Sequence, residues 1–315
     1  MIGDDHSLTE GHLARHTPRG PSVSDEIARL DVAQDFLLAH FTELGLFEHL
    51  AFKGGTALRK LYAGNAGRFS TDFDLAIRDP AEDRATMTAI IADAATGQFG
   101  PFSFHAEQGR GARRQIRVAS EFGPINLRIK LDVGAPCWLV PEMRDYIAIA
   151  IHQRYGFTLP RLPCMRLEEI IAEKIARLTR MSTARDAFDL VWLATTSPYS
   201  AFDRALVRRL VVLKIWVDNN GLRPGWIPTL APKPFTAPTW FEPRDDWDDE
   251  HIGMLTNPPP ALVDLDRQRT ALYSWLATLS EEEARWAKAD PRDLASVVQA
   301  IRTLPNGALA NEPLY

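Results

Sequence analysis

Two stretches that lie close together in the sequence carry residue types suited to chemistry on phosphates. The first is FKGGT, in which Gly54 and Gly55 end a short apolar run and precede a helical pattern. The second is DFD, which places Asp72 and Asp74 inside an alternating stretch. Adjacent glycines weaken local structure, and two carboxylates on one strand face repel each other. Both features therefore indicate a function that compensates for their cost.

The glycine pair lies where a strand would meet the start of a helix. Such a junction presents free backbone N–H groups and the positive end of a helix dipole at one point. A phosphate can approach glycine closely because glycine has no Cβ. We therefore interpret Gly54 and Gly55 as candidate phosphate-binding residues. The alternative is a tight turn without a ligand, and the GxxxxGK[ST] pattern of a P-loop is absent.

The two aspartates are candidate metal ligands, because carboxylates on one face can share a divalent cation that cancels their repulsion. The alternative for Asp72 and Asp74 is the solvated face of an edge strand. Asp132 lies on the polar face of a later predicted strand, IKLDV, and is the candidate third carboxylate. Three carboxylates from adjacent strands would form a two-metal site for phosphoryl or nucleotidyl transfer.

Apolar periodicity predicts the elements that position these residues. It predicts a long helix from Ser24, the N-cap, to about Gly45, a helix from Thr56 and another that starts near Pro80. The predicted strands are HLAFKGG, DFDLAIRD, FSFHAEQ, RRQIRVASE and INLRIKLDVG. From LEEIIAEKIARL onwards the pattern is helical. We therefore expect an α+β protein with a mixed sheet flanked by helices, followed by a mostly helical half.

The same patterns predict three segments. Residues 1–23 are expected to be a flexible lead-in, with His12 and His16 as a solvated pair. Residues 24–163 form the predicted α/β domain. Residues 164–315 form the predicted helical domain, in which the tryptophans Trp226, Trp240 and Trp247 are expected to pin an irregular stretch to the helices.

The composition excludes several classes of protein. The chain of 315 residues is 45% apolar with a net charge of −5. That balance argues against a uniformly basic nucleic-acid coat, although local basic patches remain compatible with it. The two cysteines have no metal-binding spacing, and no apolar run is long enough to cross a membrane. These features favour the reducing cytoplasm.

Three charged residues follow in the helical half. Lys174 is bracketed by Ile171 and Ile175 on a predicted amphipathic helix, where it either serves a site or covers core with its stem. Asp186 and Asp189 are one helical turn apart and share a face. One of them is expected to orient Lys174 or Arg185, and the other to face the site. A surface ion pair is the plain alternative for Asp186, whereas burial with a partner is expected for Asp189.

The order of KGGTALRKLY, RFSTDFDLAI, LRIKLDV, LEEIIAEKIARL and ARDAFDL resembles the AbiEii/AbiGii (MenT-like) nucleotidyltransferase toxins of the DNA polymerase β-like superfamily. The resemblance extends from Leu50 to Leu190 at the level of motifs. It implies a polymerase β-like core, an NTP substrate bound at the glycine turn, and Mg²⁺, with Mn²⁺ as the alternative, held by the DxD strand and a third carboxylate.

The resemblance also assigns roles to individual residues. It implies that nucleotide is bound by Gly54, Gly55, Thr56, Ser70 and Lys174, and that metal is bound by Asp72, Asp74 and Asp132. The implied catalytic set is Asp72, Asp74, Lys174 and Asp189, with Asp186 as the competing assignment for the late essential acid. The helical domain would then contribute Lys174 and Asp189 to the site.

The function implied by the resemblance is transfer of a nucleotide to RNA, with the tRNA 3′ acceptor end as the expected target. The protein would block translation as the toxin of a type IV-like toxin–antitoxin or abortive-infection system, with a cognate antitoxin as partner. Arginine clusters supply candidate RNA contacts at Arg113, Arg114, Arg208 and Arg209, for which the alternative is a solvated face. Two other functions stay open: nucleotidyl transfer to a protein or small molecule, as in antibiotic-modifying relatives, and nucleotide binding without turnover.

Overall fold

The computed structural model describes residues 5–17, 24–79, 82–109, 114–180, 183–222, 233–235, 240, 247, 252, 255–256 and 258–309. The chain divides into two compact units. The first comprises Met1–Cys137, Pro141–Met165 and Gly253–Pro259, and the second comprises Trp138–Val140, Arg166–Ile252 and Pro260–Tyr315. Among the described helices, none has the length and apolar character required to cross a membrane.

The first unit contains a mixed sheet of eight strands in the order β3-β4-β5-β6-β2-β1-β8-β7. The antiparallel β1–β2 pair is flanked by parallel neighbours, since β2 runs parallel to β6 and β1 parallel to β8. The strands are β1 (Leu50–Lys53), β2 (Asp72–Ile77), β3 (Gly97–Phe99), β4 (Phe102–Gln108), β5 (Arg114–Ser120), β6 (Arg128–Gly134), β7 (Glu142–Arg144) and β8 (Leu162–Cys164).

The two faces of this sheet differ in polarity because the central strands alternate. Phe73 and Leu75 on β2 are fully buried, as are their register partners Leu131 and Val133 on β6. Helix α2 (Asp25–Glu43) packs on this apolar face, where ring contacts join Phe36 to Phe102 and Phe41 to Phe73. The opposite face of β2 and β6 carries their polar side chains, as the alternation predicts.

Two helices of the first unit start at positions other than those predicted. Helix α3 (Gly54–Leu58) begins at the first glycine rather than at Thr56 and continues as a π-helical turn over Arg59–Ala63. Helix α4 (Arg84–Ala94) begins after Asp83, whose carboxylate accepts a hydrogen bond from the Thr86 N–H at 2.7 Å. Pro80, the predicted start, lies outside the described residues.

The predicted flexible lead-in contains a helix, α1 (Glu10–His16), and the expectation of a solvated histidine pair is wrong for His16. Its side chain is 3% exposed, and Nε2 lies 2.8 Å from Oδ2 of the buried Asp31. Leu8 and Leu13 of the same segment are also buried. A buried carboxylate requires partners, and His16 is one that the local sequence gives no means of recognising.

The second unit is helical in its described part. Its helices are α5 (Leu167–Arg177), α6 (Ala184–Thr195), α7 (Arg204–Asn220), α8 (Leu262–Leu272), α9 (Glu281–Trp286) and α10 (Leu294–Arg302). Trp240 is buried and its Nε1 donates to the Ile175 carbonyl at 3.3 Å, while Trp247 joins an apolar cluster with α6. Trp226 lies outside the described residues. The predicted α+β class, with a mixed sheet and flanking helices before a helical half, is confirmed.

Candidate nucleotide-binding and catalytic site

The glycine turn and the DxD strand meet in the first unit. Gly54 has φ of +77°, and a Cβ built on it would lie 2.0 Å from Oδ2 of Asp74. Only glycine combines this left-handed backbone with so close an approach. The carboxylate of Asp74 therefore lies directly against Gly54, the first residue of α3, and on the same side of the sheet as the glycine turn.

The second glycine is lined by a cation and a hydroxyl. A Cβ on Gly55 would lie 2.6 Å from Nη2 of Arg68 and 3.0 Å from Oγ of Ser70. Arg68 and Ser70 are both buried, and the Ser70 carbonyl accepts a hydrogen bond from Nε2 of Gln34 at 3.0 Å. The motif RFS thus places a guanidinium and a hydroxyl beside the backbone of the glycine turn. Arg68 was not among the predicted site residues, although it lies two residues before the predicted Ser70.

Thr56 and Asp72 join the same turn to the start of β2. The Thr56 hydroxyl donates to the backbone carbonyl of Asp72, and the Thr71 hydroxyl donates to Oδ1 of Asp72 at 3.0 Å. Thr56 is fully buried, whereas Asp72 and Asp74 are half-buried. The Thr56 hydroxyl therefore holds the backbone at Asp72, at the start of the strand that carries both aspartates.

Asp132 lies next to Asp74 in the sheet, as the prediction of adjacent strands requires. The parallel β2–β6 ladder pairs Asp74 with Asp132, so the two residues share a face on strands about 4.8 Å apart. The Asp132 carboxylate is 57% exposed and accepts from Nη2 of Arg84 at 3.0 Å. Asp132 thus lies on the strand and face that the sequence predicts, and its carboxylate is paired with Arg84, the first residue of α4.

The donor set fits a magnesium ion that is shared with a substrate. Magnesium prefers oxygen donors and is commonly held by one or two carboxylates together with substrate phosphates. Asp72 and Asp74 can supply those carboxylates beside the glycine turn. Among the described residues, no three or more His, Cys, Asp or Glu side chains are grouped to hold a metal by themselves. The predicted set of Asp72, Asp74 and Asp132 is thus not grouped as a three-carboxylate metal site, although the ladder places Asp132 beside Asp74.

The turn after the glycines is anchored by buried charges that sequence reasoning missed. Arg59 Nη2 lies 3.2 Å from Asp31 Oδ2, and Lys60 Nζ lies 2.8 Å from Asp31 Oδ1 and 2.9 Å from Asp35 Oδ1. The hydroxyl of Tyr155 donates to Asp35 at 2.7 Å. Burial alone would raise the pKa of Asp31, but Arg59, Lys60 and His16 outweigh it and lower that pKa well below its usual range. These contacts tie the π-helical turn to α2.

Lys53 is a second cation at the site that was not predicted. It ends β1, where it pairs in register with Asp74, and it is half-buried. A Cβ built on Gly134 would lie 3.1 Å from its Nζ. The lysine side chain therefore reaches from β1 to the strand that carries Asp132. The signal in the sequence is its position directly before the glycine pair.

In the second unit, Lys174 is held by both late aspartates. Its Nζ lies 3.1 Å from Asp186 Oδ1 and 2.7 Å from Asp189 Oδ2, and all three side chains are at most 8% exposed. The expected buried partner of Asp189 is thus Lys174. The plain alternative for Asp186, a surface ion pair, is wrong, because Asp186 is buried and also bonded to the Thr183 hydroxyl at 2.7 Å.

The ionised form of Asp186 is strongly favoured in the folded chain. Burial opposes ionisation of this carboxyl, but Lys174, Arg177 and Thr183 together lower its pKa to about 2. Lys174 on α5 and the two acids Asp186 and Asp189 on α6 therefore form a buried ion cluster. Such a cluster is a structural element in its own right, because loss of one member leaves an uncompensated buried charge.

The predicted RNA-contacting arginines differ in their surroundings. Arg208 Nε lies 2.8 Å from Glu283, and Arg209 Nη1 lies 3.0 Å from Glu282, so α9 balances both charges. Arg114 opens β5 and pairs in register with Leu131 on β6. Arg113 lies outside the described residues. Because paired residues project from the same face, Arg114 lies on the face of the buried Leu131, which is opposite to the face that carries Asp132.

The chain is similar to a family model and to solved structures. The family model described as the nucleotidyl transferase AbiEii toxin of a type IV toxin–antitoxin system matches residues 35–279. Among solved structures, MenT4, a nucleotidyltransferase toxin from Mycobacterium tuberculosis H37Rv, is 34% identical, with 95% of this chain and 99% of that chain covered and a TM-score of 0.83. JHP933 from Helicobacter pylori is 14% identical over 84% of this chain and 97% of its own, with a TM-score of 0.45. No curated protein sequence matches the chain.

Proposed function

Because the chain belongs to the AbiEii family of nucleotidyltransferase toxins of type IV toxin–antitoxin systems, we propose that it transfers a nucleoside monophosphate from an NTP to the 3′ end of an RNA. The proposed acceptor is the tRNA acceptor end. A nucleotide added there would prevent aminoacylation and so block translation. The proposed partners are thus the NTP, the RNA and a cognate antitoxin, which the protein would meet in the cytoplasm.

One observation carries this proposal: the carboxylate of Asp74 lies against Gly54 at the mouth of the glycine turn. A turn that accepts phosphates and an acid that binds the accompanying cation must lie side by side for nucleotidyl transfer. The register of Asp74 with Asp132 supports a further carboxylate from the neighbouring strand. A solvated edge strand or an empty turn would not require this packing.

The reaction forms one bond and breaks one bond at phosphorus. The acceptor hydroxyl oxygen attacks the α-phosphorus, the bond between that phosphorus and the oxygen bridging to the β-phosphate breaks, and pyrophosphate leaves. When bound, Mg²⁺ or Mn²⁺ would neutralise charge on the phosphates and make the attacking hydroxyl easier to deprotonate. We assign the hydroxyl proton to Asp132, and metal binding to Asp72 and Asp74 with Asp132 as the third carboxylate.

The remaining roles concern the nucleotide. We assign the phosphates to the backbone of Gly54, Gly55 and Thr56, with the Ser70 hydroxyl beside them. Lys174 is proposed to neutralise the triphosphate in the transition state, and Asp189 to orient that lysine, which its contact of 2.7 Å supports. Arg113, Arg114, Arg208 and Arg209 remain proposed RNA contacts.

The test is a transfer assay with labelled NTPs, magnesium and total RNA, followed by sequencing of RNA 3′ ends. We expect label on RNA, with extra nucleotides at tRNA 3′ ends that are absent with the Asp72→Ala variant. Label on protein or on a small molecule would point to a different acceptor. Binding of NTP without any transfer would contradict the proposed reaction.

A further inference from the structure

We propose that Lys53 is a positioning residue that acts as the built-in counter-ion of the Asp74–Asp132 carboxylates in the nucleotide-free protein. In this role it weakens the binding of a lone divalent cation, so that the cation is bound tightly only together with NTP phosphates. The inference rests on the proposed function, since it concerns the cation that the transfer reaction uses.

The first observation is the register of three neighbouring strands. Lys53 on β1 pairs with Asp74 on β2, and Asp74 pairs with Asp132 on β6. Paired residues in a sheet project from the same face. One cationic and two anionic residues therefore form a single row across β1, β2 and β6, beside the glycine turn that Lys53 directly precedes.

The second observation is the direction of the lysine side chain. Its Nζ and Cε lie 3.1 and 3.4 Å from the position that a Cβ on Gly134 would occupy. Gly134 lies two residues after Asp132 and therefore on the same face of β6. The ammonium group thus ends on the strand of Asp132, after the stem has crossed β2.

The third observation explains how the stem can take this path. The row next to the charged one consists of Ala51 on β1, Ala76 on β2 and Gly134 on β6, which are in register with one another. Ala51 and Ala76 are fully buried. Small side chains leave room for a long one to lie over the sheet, so the sequence provides a slot for the lysine stem.

A lysine that is in register with Asp74 and whose ammonium group reaches the strand of Asp132 reduces the attraction of this charged row for a second cation, because like charges repel more strongly where water is partly excluded. A divalent cation that arrives bound to a triphosphate forms a complex with a net negative charge, so the ammonium group of Lys53 does not oppose its binding in the same way. Removal of Lys53 should therefore strengthen binding of the metal alone, which simple structural damage would not do.

The experiment measures Mn²⁺ binding to the full-length protein without nucleotide, by electron paramagnetic resonance of the free ion. We expect Lys53→Met to bind Mn²⁺ about tenfold more tightly than the unaltered protein, and Lys53→Arg, which keeps the charge, to remain within about twofold. Lys130→Met is the matched control. Lys130 lies on the same face of β6, in register with Asp72, but is exposed, so its removal should change affinity less than about threefold because solvent screens it.

Three results would overturn the inference. Unchanged Mn²⁺ affinity in Lys53→Met, an equal gain in Lys130→Met, or an equal gain in Lys53→Arg would each show that Lys53 is not a specific counter-ion. A gain in Lys53→Met that disappears when Asp74→Asn is added would support it. Failure of the proposed function is recognised separately, by the absence of NTP-dependent labelling of RNA, so the two can fail independently.

Discussion

Gly54 and Asp74 are packed so closely that the glycine has no room for a side chain: a Cβ would lie 2.0 Å from the carboxylate oxygen and 2.8 Å from the aspartate Cβ. The first residue of α3 and the middle of β2 therefore determine each other's positions. This contact explains why the sequence places a glycine at a point where it weakens the local backbone.

Replacing Gly54 with alanine should abolish transfer. The left-handed backbone costs a non-glycine residue about 1–2 kcal/mol, and the new methyl group must displace Asp74. We expect a loss of more than about 100-fold in transfer rate, with a lower urea midpoint. Gly11→Ala is the control, since Gly11 is exposed on α1 and its nearest neighbouring atom is 3.7 Å from a built Cβ. Wild-type activity in Gly54→Ala would contradict this account of the site.

Asp132 and its partner Arg84 should behave differently when each is removed. We expect Asp132→Asn to reduce the transfer rate about 100-fold, as loss of a carboxylate from a metal-assisted site does. Arg84→Ala should change it less than about threefold, because the side chains of this ion pair are 61% and 57% exposed and exposed pairs contribute about 0–1 kcal/mol. Steady-state transfer with saturating NTP measures both. Equally small effects would show that Asp132 is merely the partner of Arg84.

The face on which each site residue lies could be predicted from the sequence, whereas its neighbours could not. Alternation in DFDLAI and RIKLDV places Asp72, Asp74 and Asp132 on polar faces, and the structure agrees. That β6 lies beside β2 depends on strand order, which local patterns do not encode. The ion pair between Asp132 and Arg84 depends in turn on the path of the connection between β2 and α4, which determines the position of Arg84.

The sequence pattern does not predict which charged residues are buried, for a physical reason. Asp31 and Asp35 look like the polar face of an amphipathic helix, yet they are 1% and 0% exposed because Arg59, Lys60 and His16 reach them from elsewhere in the chain. Hydrophobic periodicity measures the polarity of single residues and carries no information on distant partners. The same limit explains why the sequence predicts only one of Asp186 and Asp189 as a partner of Lys174, whereas both contact it.

Asp218 on α7 predicts a pH dependence of stability with a definite sign. Burial raises its pKa to about 6, although Arg180, 3.1 Å away, and Lys214 act in the opposite direction. A carboxyl whose pKa is raised on folding contributes stability that is fully present below its unfolded value of 3.8 and is lost as the pH rises through about 6.

We therefore expect Asp218→Asn to become more stable relative to the unaltered protein between pH 4 and pH 7, by about 1–2 kcal/mol after allowance for partial exposure. Urea unfolding at the two pH values measures this change. Asp264→Asn, which removes an exposed carboxylate paired with Arg267, should show no such trend. A stability difference that is constant with pH would rule out the proposed ionisation of Asp218.

The ion cluster around Lys174 allows the two late acids to be separated by experiment. Both aspartates contact the lysine, but Asp186 is also held by Thr183 and Arg177. We expect Asp186→Asn and Asp189→Asn each to lower the free energy of unfolding by about 1–3 kcal/mol, since each leaves Lys174 with one acid. Only Asp189→Asn should lose transfer by more than about 100-fold, because Asp189 is the proposed positioning acid.

The pH dependence of stability provides an independent readout for Asp186. Its pKa is lowered to about 2, so its contribution to stability is fully present above the unfolded value of 3.8 and is lost as the pH falls toward 2. Asp186→Asn should therefore lose less stability than the unaltered protein between pH 4 and pH 2, as measured by thermal unfolding. If Asp186→Asn instead abolishes transfer at pH 7.5 while Asp189→Asn retains it, the two roles are reversed and Asp186 is the essential acid.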